Sequence, residues 1–205
     1  MRFERGLDFA RAQDAADPLA SFRDRFAIPK RPDGTDVIYL CGNSLGLQPT
    51  EAVSLVREEL EAWGAMAVSA HFAAERPWLS YADRLAPAAA ALVGAHPSEV
   101  VTMNTLTVNL HFMMVSFYRP TADRRKVLIE QPAFPSDRYA VESQIRLHGF
   151  DPADSLIEVG PRPNESVIRM EDLETCICAE GSTIALVLLP GVNYYTGQVF
   201  DMAAI

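Results

Sequence analysis

The residues with the clearest chemical potential lie in one segment, VVTMNTLTVNLHFMMVSFYRPTADRRKVLIEQPAFPSDRY, which spans positions 100 to 139. The pattern predicts a short β-type run ending at 100–101, a tight turn, a helix from about Leu106, and a second strand over Lys126 to Glu130. The first amides of a helix have no acceptor within the helix, and the helix dipole is positive there. The backbone near Leu106 and Thr107 is therefore expected to bind an anion such as phosphate.

A loop with an aromatic ring and a carboxylate follows the second strand. Phe134 and Asp137 are expected at the carboxyl end of that strand, on the edge where open α/β sheets bind ligands. A phosphate cradle, a flat ring and a carboxylate together favour a phosphorylated heteroaromatic cofactor, and pyridoxal 5′-phosphate fits that description. Taken alone the pattern is weak, because an isolated Thr105 and Thr107 are better explained as N-capping residues.

Four separated sequence segments make the prediction of this kind of site more specific. They are YLCGNSLGLQP, MNTLTVNLHFMMVSFYRPT, AFPSDRYAVESQIRLHG and LLPGVNYYTGQVFD, and they follow one another from about Tyr39 to the last residue. Together they resemble the kynureninases, which are fold-type-I pyridoxal-phosphate hydrolases of tryptophan catabolism.

The resemblance implies a role for particular residues. Leu106 and Thr107 would bind the cofactor phosphate, largely through backbone amides. Phe134 would stack on the pyridine ring, and the rest of the loop, Pro135, Ser136 and Asp137, would complete the cofactor site, with Asp137 beside the polar substituents of the ring.

Two further residues resemble family positions that face the substrate. Ser44 lies in the Gly-Asn-Ser-Leu-Gly turn, and His71 lies in Ser-Ala-His-Phe. For His71 a packed or capping role is the alternative. The remaining histidines have no partner at metal-ligand spacing, so no metal site is predicted.

The activity implied is hydrolysis of L-kynurenine, and of 3-hydroxy-L-kynurenine as a possible second substrate, to an anthranilate and L-alanine. The family resemblance also implies a cytoplasmic homodimer that contributes to NAD biosynthesis. Two alternatives stay open. One is another fold-type-I enzyme, similar to a desulfurase or aminotransferase, against which GNSLGLQP and FPSDRYA argue. The other is a shortened, non-catalytic protein that binds a partner through an uncovered sheet edge.

The order of elements predicts an α/β fold with a mostly parallel sheet flanked by helices, and the resemblance makes it fold-type I. The expected domains are an N-terminal segment and turn over 1–50 and the first part of a large cofactor-binding domain over 51–205. Helices are predicted at 18–26, 50–63, 79–93, 137–147 and 170–179, an extended piece at 37–40, and further strands at 155–159 and 183–189. The second of these helices is expected to bury Val53, Val56, Leu60 and Trp63.

The lysines predict that the catalytic centre is incomplete. Pyridoxal-phosphate enzymes hold their cofactor on a lysine, and this chain has Lys30 and Lys126 only. Both are expected to be solvated charges away from the cradle. The family's Schiff-base lysine would lie beyond Ile205, so the chain is interpreted as the inactive N-terminal half of a longer enzyme, with no catalytic residue of its own.

Composition narrows the class of protein. The 205 residues are 49% hydrophobic and 22% charged, enough to bury a core. A net charge of -9 argues against nucleic acid or an anionic membrane as partner. No apolar stretch approaches the roughly 20 residues of a membrane span, and the N-terminus lacks the apolar core of a signal peptide. The three cysteines are too few for a disulfide framework, and Glu58, Glu59 and Glu61 are predicted to form a solvated helix face.

Overall fold

The computed structural model describes residues 3–205 and divides into two compact units, one ending at Val100 and the other covering Val101–Ile205. The boundary expected at residue 50 therefore does not coincide with a division between compact units. The assignment of 51–205 to a cofactor-binding domain stays a prediction. No helix in the described part of the chain is long and apolar enough to cross a membrane.

The first unit is mainly helical. Its helices are α1 (Leu7–Ala16), α2 (Ala52–Met66), α3 (Ala70–Ala73) and α4 (Tyr81–Val93). Short 3-10 turns occur at Ala20–Arg25, Ala67–Ser69, Trp78–Ser80 and Pro97–Glu99. Two short strands, β1 (Phe26–Ala27) and β2 (Gln48–Pro49), pair in antiparallel fashion.

The extended piece expected at 37–40 has no strand partner in the described residues, and its conformation stays a prediction. Two other expectations for this unit are wrong. The helix predicted at 18–26 is a 3-10 helix over Ala20–Arg25, and the longer α1 before it was not predicted. The apolar face expected to be buried on α2 is exposed, Trp63 by 63%. The reason is that the main packing partners of α2 within its unit are two short elements, the 3-10 turn Ala67–Ser69 and α3, which leave this face uncovered.

The second unit has the predicted α/β architecture. Its helices are α5 (Leu106–Phe117), α6 (Pro135–Leu147), α7 (Pro152–Ser155) and α8 (Met170–Glu180). Its strands are β3 (Lys126–Glu130), β4 (Leu156–Val159) and β5 (Ile184–Val187). They form a parallel sheet in the order β4-β3-β5, which confirms the α/β class and the parallel pairing. The β-type run expected at 100–101 is wrong, because the chain leaves the 3-10 turn there without a partner strand.

The core lies on both faces of β3. Alternate side chains of a strand point to opposite faces, so Val127 and Ile129 share one face and Leu128 takes the other. Val127 and Ile129 pack in one buried cluster with Met114 and Tyr118, from α5 and the residue after it, and with Val141 and Ile145 of α6. Leu128 belongs to a second cluster with Ile168, Leu173 and Phe200. Two helices thus cover one face of the sheet and α8 contributes to the other.

Candidate functional site

The start of α5 keeps its backbone donors free. Thr105 is the N-cap residue, in extended conformation, but its side chain makes no capping hydrogen bond. The first bond of the helix runs from the Asn109 amide to the Thr105 carbonyl, at 3.0 Å. Within residues 3–205 the amides of Leu106, Thr107 and Val108 have no acceptor. The helix start can therefore donate several hydrogen bonds to an anion.

Asn109 shapes the turn that precedes these amides, a role that the sequence did not reveal. Its side-chain nitrogen donates to the Asn104 carbonyl at 3.0 Å. Its side-chain oxygen is buried and has no partner among the described residues. This contact joins the first turn of α5 to the loop before it, so Asn109 helps to hold the free amides in place.

Helices α5 and α6 run in the same direction, which brings their N-termini toward one end. The His111 ring nitrogen Nδ1 lies 2.8 Å from the Gln144 side-chain nitrogen, and the Tyr118 and His148 rings are 5.2 Å apart. The Tyr118 hydroxyl donates to the Arg125 carbonyl just before β3, at 2.6 Å. The C-terminal ends of both helices therefore lie near the start of β3, and both N-termini lie toward its carboxyl end.

The predicted ring and carboxylate stand at that carboxyl end. Phe134 is the N-cap of α6, and its carbonyl accepts from the amides of Asp137 and Arg138 at 2.9 and 3.2 Å. The residue is 45% exposed. Asp137 lies in the first helical turn, where the helix dipole favours a negative charge, and accepts a hydrogen bond from the Ser136 hydroxyl at 3.2 Å. The loop thus presents a flat apolar surface beside a carboxylate.

Tyr194 lies against Phe134, although the two residues belong to segments far apart in sequence. Their ring centroids are 5.0 Å apart and their planes are nearly perpendicular, at 83°. Tyr194 follows β5, the neighbour of β3, so it approaches the same edge of the sheet. Nothing in the local pattern of the sequence pointed to this contact.

A buried carboxyl group also reaches this edge. Glu130 is the last residue of β3 and is only 4% exposed. Burial raises the pKa of Glu130 above its usual range, and the nearby negative charge of Asp137 raises it further. Glu130 therefore holds its proton more tightly than an exposed glutamate would.

The two predicted substrate residues belong to the first unit. Ser44 is exposed in the turn after Cys41, and its amide donates to the Cys41 carbonyl at 2.9 Å. Tyr39 closes the same turn through a 2.5 Å hydrogen bond from its hydroxyl to the Leu45 carbonyl. Tyr39 and Leu45 line an open cleft of about 700 Å³. Within residues 3–100 no hydrogen bond or ring contact joins Ser44 to His71.

His71 is exposed on α3 and held by two contacts. Its Nδ1 atom lies 3.0 Å from the Val68 carbonyl, and its ring is 5.2 Å from that of Trp78 in an edge-on arrangement. Because a carbonyl can only accept, Nδ1 carries the proton in this contact and Nε2 of the neutral ring is left as an acceptor. The histidine is therefore both a local bridge within its turn and a polar group available to a ligand.

A hydrogen-bonded group fixes the tryptophan beside His71. Trp78 donates from its indole nitrogen to Glu59 at 2.7 Å, and Arg76 donates to the other Glu59 oxygen at 2.8 Å. The Arg76 hydrogen bond, followed by that of Trp78, lowers the pKa of Glu59. The solvated face predicted for Glu58, Glu59 and Glu61 is thus wrong for Glu59, which joins α2 to the segment after α3.

Both lysines form ion pairs with carboxylates. Lys30 is exposed and pairs with Asp36. Lys126 pairs with Glu180 at 2.7 Å and opens β3, at the end of the strand opposite to Phe134. The absence of a cofactor-bearing lysine from the site stays a prediction. Residues 3–205 contain no group of three or more His, Cys, Asp or Glu side chains arranged to hold a metal ion.

The second unit is thus an α/β unit whose parallel sheet carries, at one edge, a helix start with free amides and a loop with an aromatic ring and a carboxylate. No family model matches the chain. It is 55% identical to a kynureninase of Koribacter versatilis and 53% identical to one of Myxococcus xanthus, over 99% of this chain and 48% of each relative. It is 54% identical to a kynureninase of Xanthomonas axonopodis pv. citri, over 96% of this chain and 46% of that relative.

The chain is therefore similar to kynureninases over nearly its whole length, which confirms the resemblance predicted from its motifs. It spans about half the length of the curated relatives it matches. The site residues named above stay predictions, because identity over the chain does not assign a role to any one of them.

The buried Glu130 predicts a pH dependence of stability. A carboxyl whose pKa is raised on folding binds its proton more tightly in the folded state, so its contribution is fully present below the unfolded pKa, about 4.3, and is lost as the pH rises through the folded pKa. Glu130→Gln keeps the shape and removes the titration. The melting temperature of a full-length protein carrying this chain should therefore fall, relative to the Gln variant, as the pH rises from about 4 toward neutrality.

Glu174→Gln, which removes one exposed carboxylate on α8, controls for the change in net charge. Melting curves of the three proteins at several pH values make the comparison. Parallel curves for the wild type and Glu130→Gln would contradict the burial argument.

Proposed function

We propose that this chain is part of a pyridoxal-phosphate enzyme that hydrolyses L-kynurenine to anthranilate and L-alanine. The observation that carries the proposal is the 50–55% identity to kynureninases over nearly the whole chain, joined to a site whose donors suit that cofactor. We extend the proposal to 3-hydroxy-L-kynurenine as a second substrate. The net charge of -9 supports a small-molecule substrate rather than nucleic acid.

The donor set at α5 fits a phosphate group. Free first-turn amides at Leu106 and Thr107 supply hydrogen bonds and lie at the positive end of the helix dipole. The Thr107 hydroxyl can add a further hydrogen bond, since it lies in the same turn. Asn109 is proposed to keep this turn in shape through its contact with Asn104.

The loop before α6 fits a pyridine ring. The exposed part of the Phe134 ring offers a surface for an offset stack, and Asp137 stands three positions further on with its carboxylate in the same helical turn. When bound, the cofactor would act as an electron sink for charge that develops on the substrate. The chain's own residues would orient the ring, hold the phosphate and set the charge beside the ring.

The substrate side of the proposal assigns Ser44 and His71 to contacts with kynurenine. The Nε2 atom of His71 is left as an acceptor by the bond to Val68, which suits a hydroxyl or amino donor. Trp78 would limit the rotation of the imidazole by its edge-on contact. By family resemblance we also propose that the enzyme works as a cytoplasmic homodimer.

The direct test is turnover. A full-length protein that contains this chain, supplied with pyridoxal 5′-phosphate, should release anthranilate from L-kynurenine, which can be followed by fluorescence. Residues 1–205 alone should release none, because the family's cofactor-bearing lysine is expected outside them. The proposal fails if the full-length protein is folded and binds the cofactor but leaves kynurenine intact.

The cofactor loop predicts two different defects. Phe134→Ala removes the stacking surface and should weaken cofactor affinity about five- to tenfold, since an aromatic contact contributes roughly 1 kcal/mol beyond burial. Asp137→Ala should change the absorbance of the bound cofactor and its pH response more than its affinity, because a carboxylate supplies charge rather than contact area. Absorbance titrations of the full-length variants measure both effects.

Tyr139→Ala is the matched control, since it removes an exposed aromatic ring from the same helix. Equal and negligible effects of Phe134→Ala and Asp137→Ala on affinity and spectrum would place the loop outside the site.

His71 is predicted to influence the choice between kynurenine and its 3-hydroxy analogue. A site that hydrogen-bonds a hydroxyl can discriminate strongly, whereas an apolar pocket that merely tolerates one discriminates by only about 100-fold. His71→Phe in the full-length enzyme should therefore change the ratio of the two specificity constants and leave cofactor affinity nearly unchanged. A structural histidine would instead lower the melting temperature and both constants in proportion.

A further inference from the structure

We infer that Tyr194 is a positioning residue: its ring holds the Phe134 ring in the orientation that receives a planar ligand, and the buried Asn193 holds Tyr194. The inference rests on the proposed function, because it takes Phe134 as the stacking residue. Tyr194 belongs neither to α5 nor to the loop that carries Phe134. It lies on the segment that follows β5, a different strand.

The contact between the rings suits this role. The perpendicular planes and the 5.0 Å separation of the centroids are the edge-to-face geometry that aromatic pairs favour. Phe134 is 45% exposed, so a substantial part of its ring has no protein neighbour to fix it. Tyr194 supplies a neighbour on one side and leaves surface free for a ligand.

Tyr194 is itself fixed through the side chain of Asn193. This side chain is almost fully buried, at 3% exposure. Its nitrogen donates to the Pro132 carbonyl at 3.3 Å, and its oxygen accepts from the amides of Tyr195 and Thr196, both at 3.0 Å. One side chain thus ties the loop after β5 to the segment two residues before Phe134.

The C-terminal part of this loop is also held by hydrogen bonds. The Asn193 amide donates to the Gln198 carbonyl at 2.8 Å, and the Gly197 amide donates to the Asn193 carbonyl at 3.0 Å. Gly197 has a φ of 73°, a conformation that favours glycine. The Gln198 side chain bonds both backbone groups of Ile168, at 2.8 and 2.6 Å. The backbone that carries Tyr194 is therefore anchored at both ends.

Tyr195 provides an internal contrast. It is 77% exposed, and its ring makes a tilted contact with Tyr194 at 6.1 Å. Among the described residues it has no ring contact with Phe134. Of these two adjacent tyrosines, Tyr194 contacts the Phe134 ring and Tyr195 does not. Substituting each in turn therefore isolates the effect of that contact.

The physical consequence is pre-organisation of the ring. If the fold orders Phe134 before the ligand arrives, binding does not have to order it. Loss of the Tyr194 ring should therefore weaken any ligand that stacks on Phe134, whether or not the ligand carries a phosphate. Pyridoxal and pyridoxal 5′-phosphate should lose affinity by the same factor.

The test uses the full-length apo protein, titrated with each of the two compounds and followed by absorbance and protein fluorescence. Tyr194→Leu should weaken both compounds about three- to tenfold, whereas Tyr194→Phe, which keeps the ring edge, and Tyr195→Leu should stay within about twofold of the wild type. The double variant Phe134→Ala, Tyr194→Leu should bind no more weakly than Phe134→Ala alone, because the two residues act through one contact.

Melting temperatures check that each variant folds. If Tyr194→Leu does not fold, Tyr194→Met fills similar space without a planar edge and gives the same test. The inference is overturned if Phe134→Ala weakens binding and Tyr194→Leu does not, or if the two effects add. If Phe134→Ala itself leaves both affinities unchanged, the proposed site fails and the inference fails with it.

Discussion

The burial of β3 is the constraint on which the second unit depends. Val127, Leu128 and Ile129 are fully buried, with parallel strands on both sides and helices against both faces. A strand enclosed in this way cannot shift its register without moving every apolar side chain to the wrong face. Its carboxyl end is therefore a fixed point, and the loop that carries Phe134 and Asp137 leaves the sheet from there.

The elements around β3 were predictable because their signals are local. The apolar run of Lys126–Glu130 and the helix of Pro135–Leu147 were both predicted to within two residues at each end. By contrast, the apolar stripe of α2 predicted a buried face that its own unit does not cover, so Trp63 is exposed. Periodicity predicts the kind of element, but it does not specify which neighbour, if any, will cover it.

Contacts between distant segments account for the parts of the site that the sequence did not reveal. Asn193 reaches Pro132 across 61 positions, and Trp78 reaches Glu59 across 19. Such contacts have no fixed spacing, since they depend on the path of the chain between the two partners. Leu106, Thr107, Phe134 and Asp137 could be predicted as candidates because a helix cap and a strand end mark them locally. Tyr194, Asn193 and Glu130 needed the fold.

The charges at this edge of the sheet can be understood from the two helices that begin there. A helix start favours a negative group close to it. At α6 that group is Asp137, within the first turn. At α5 the first turn has no acidic side chain, and its amides have no acceptor among the described residues. The first turn of α6 thus carries a carboxylate of its own, whereas the first turn of α5 has free amides and no acidic side chain, so the start of α5 is the one whose amides can donate hydrogen bonds to an anion.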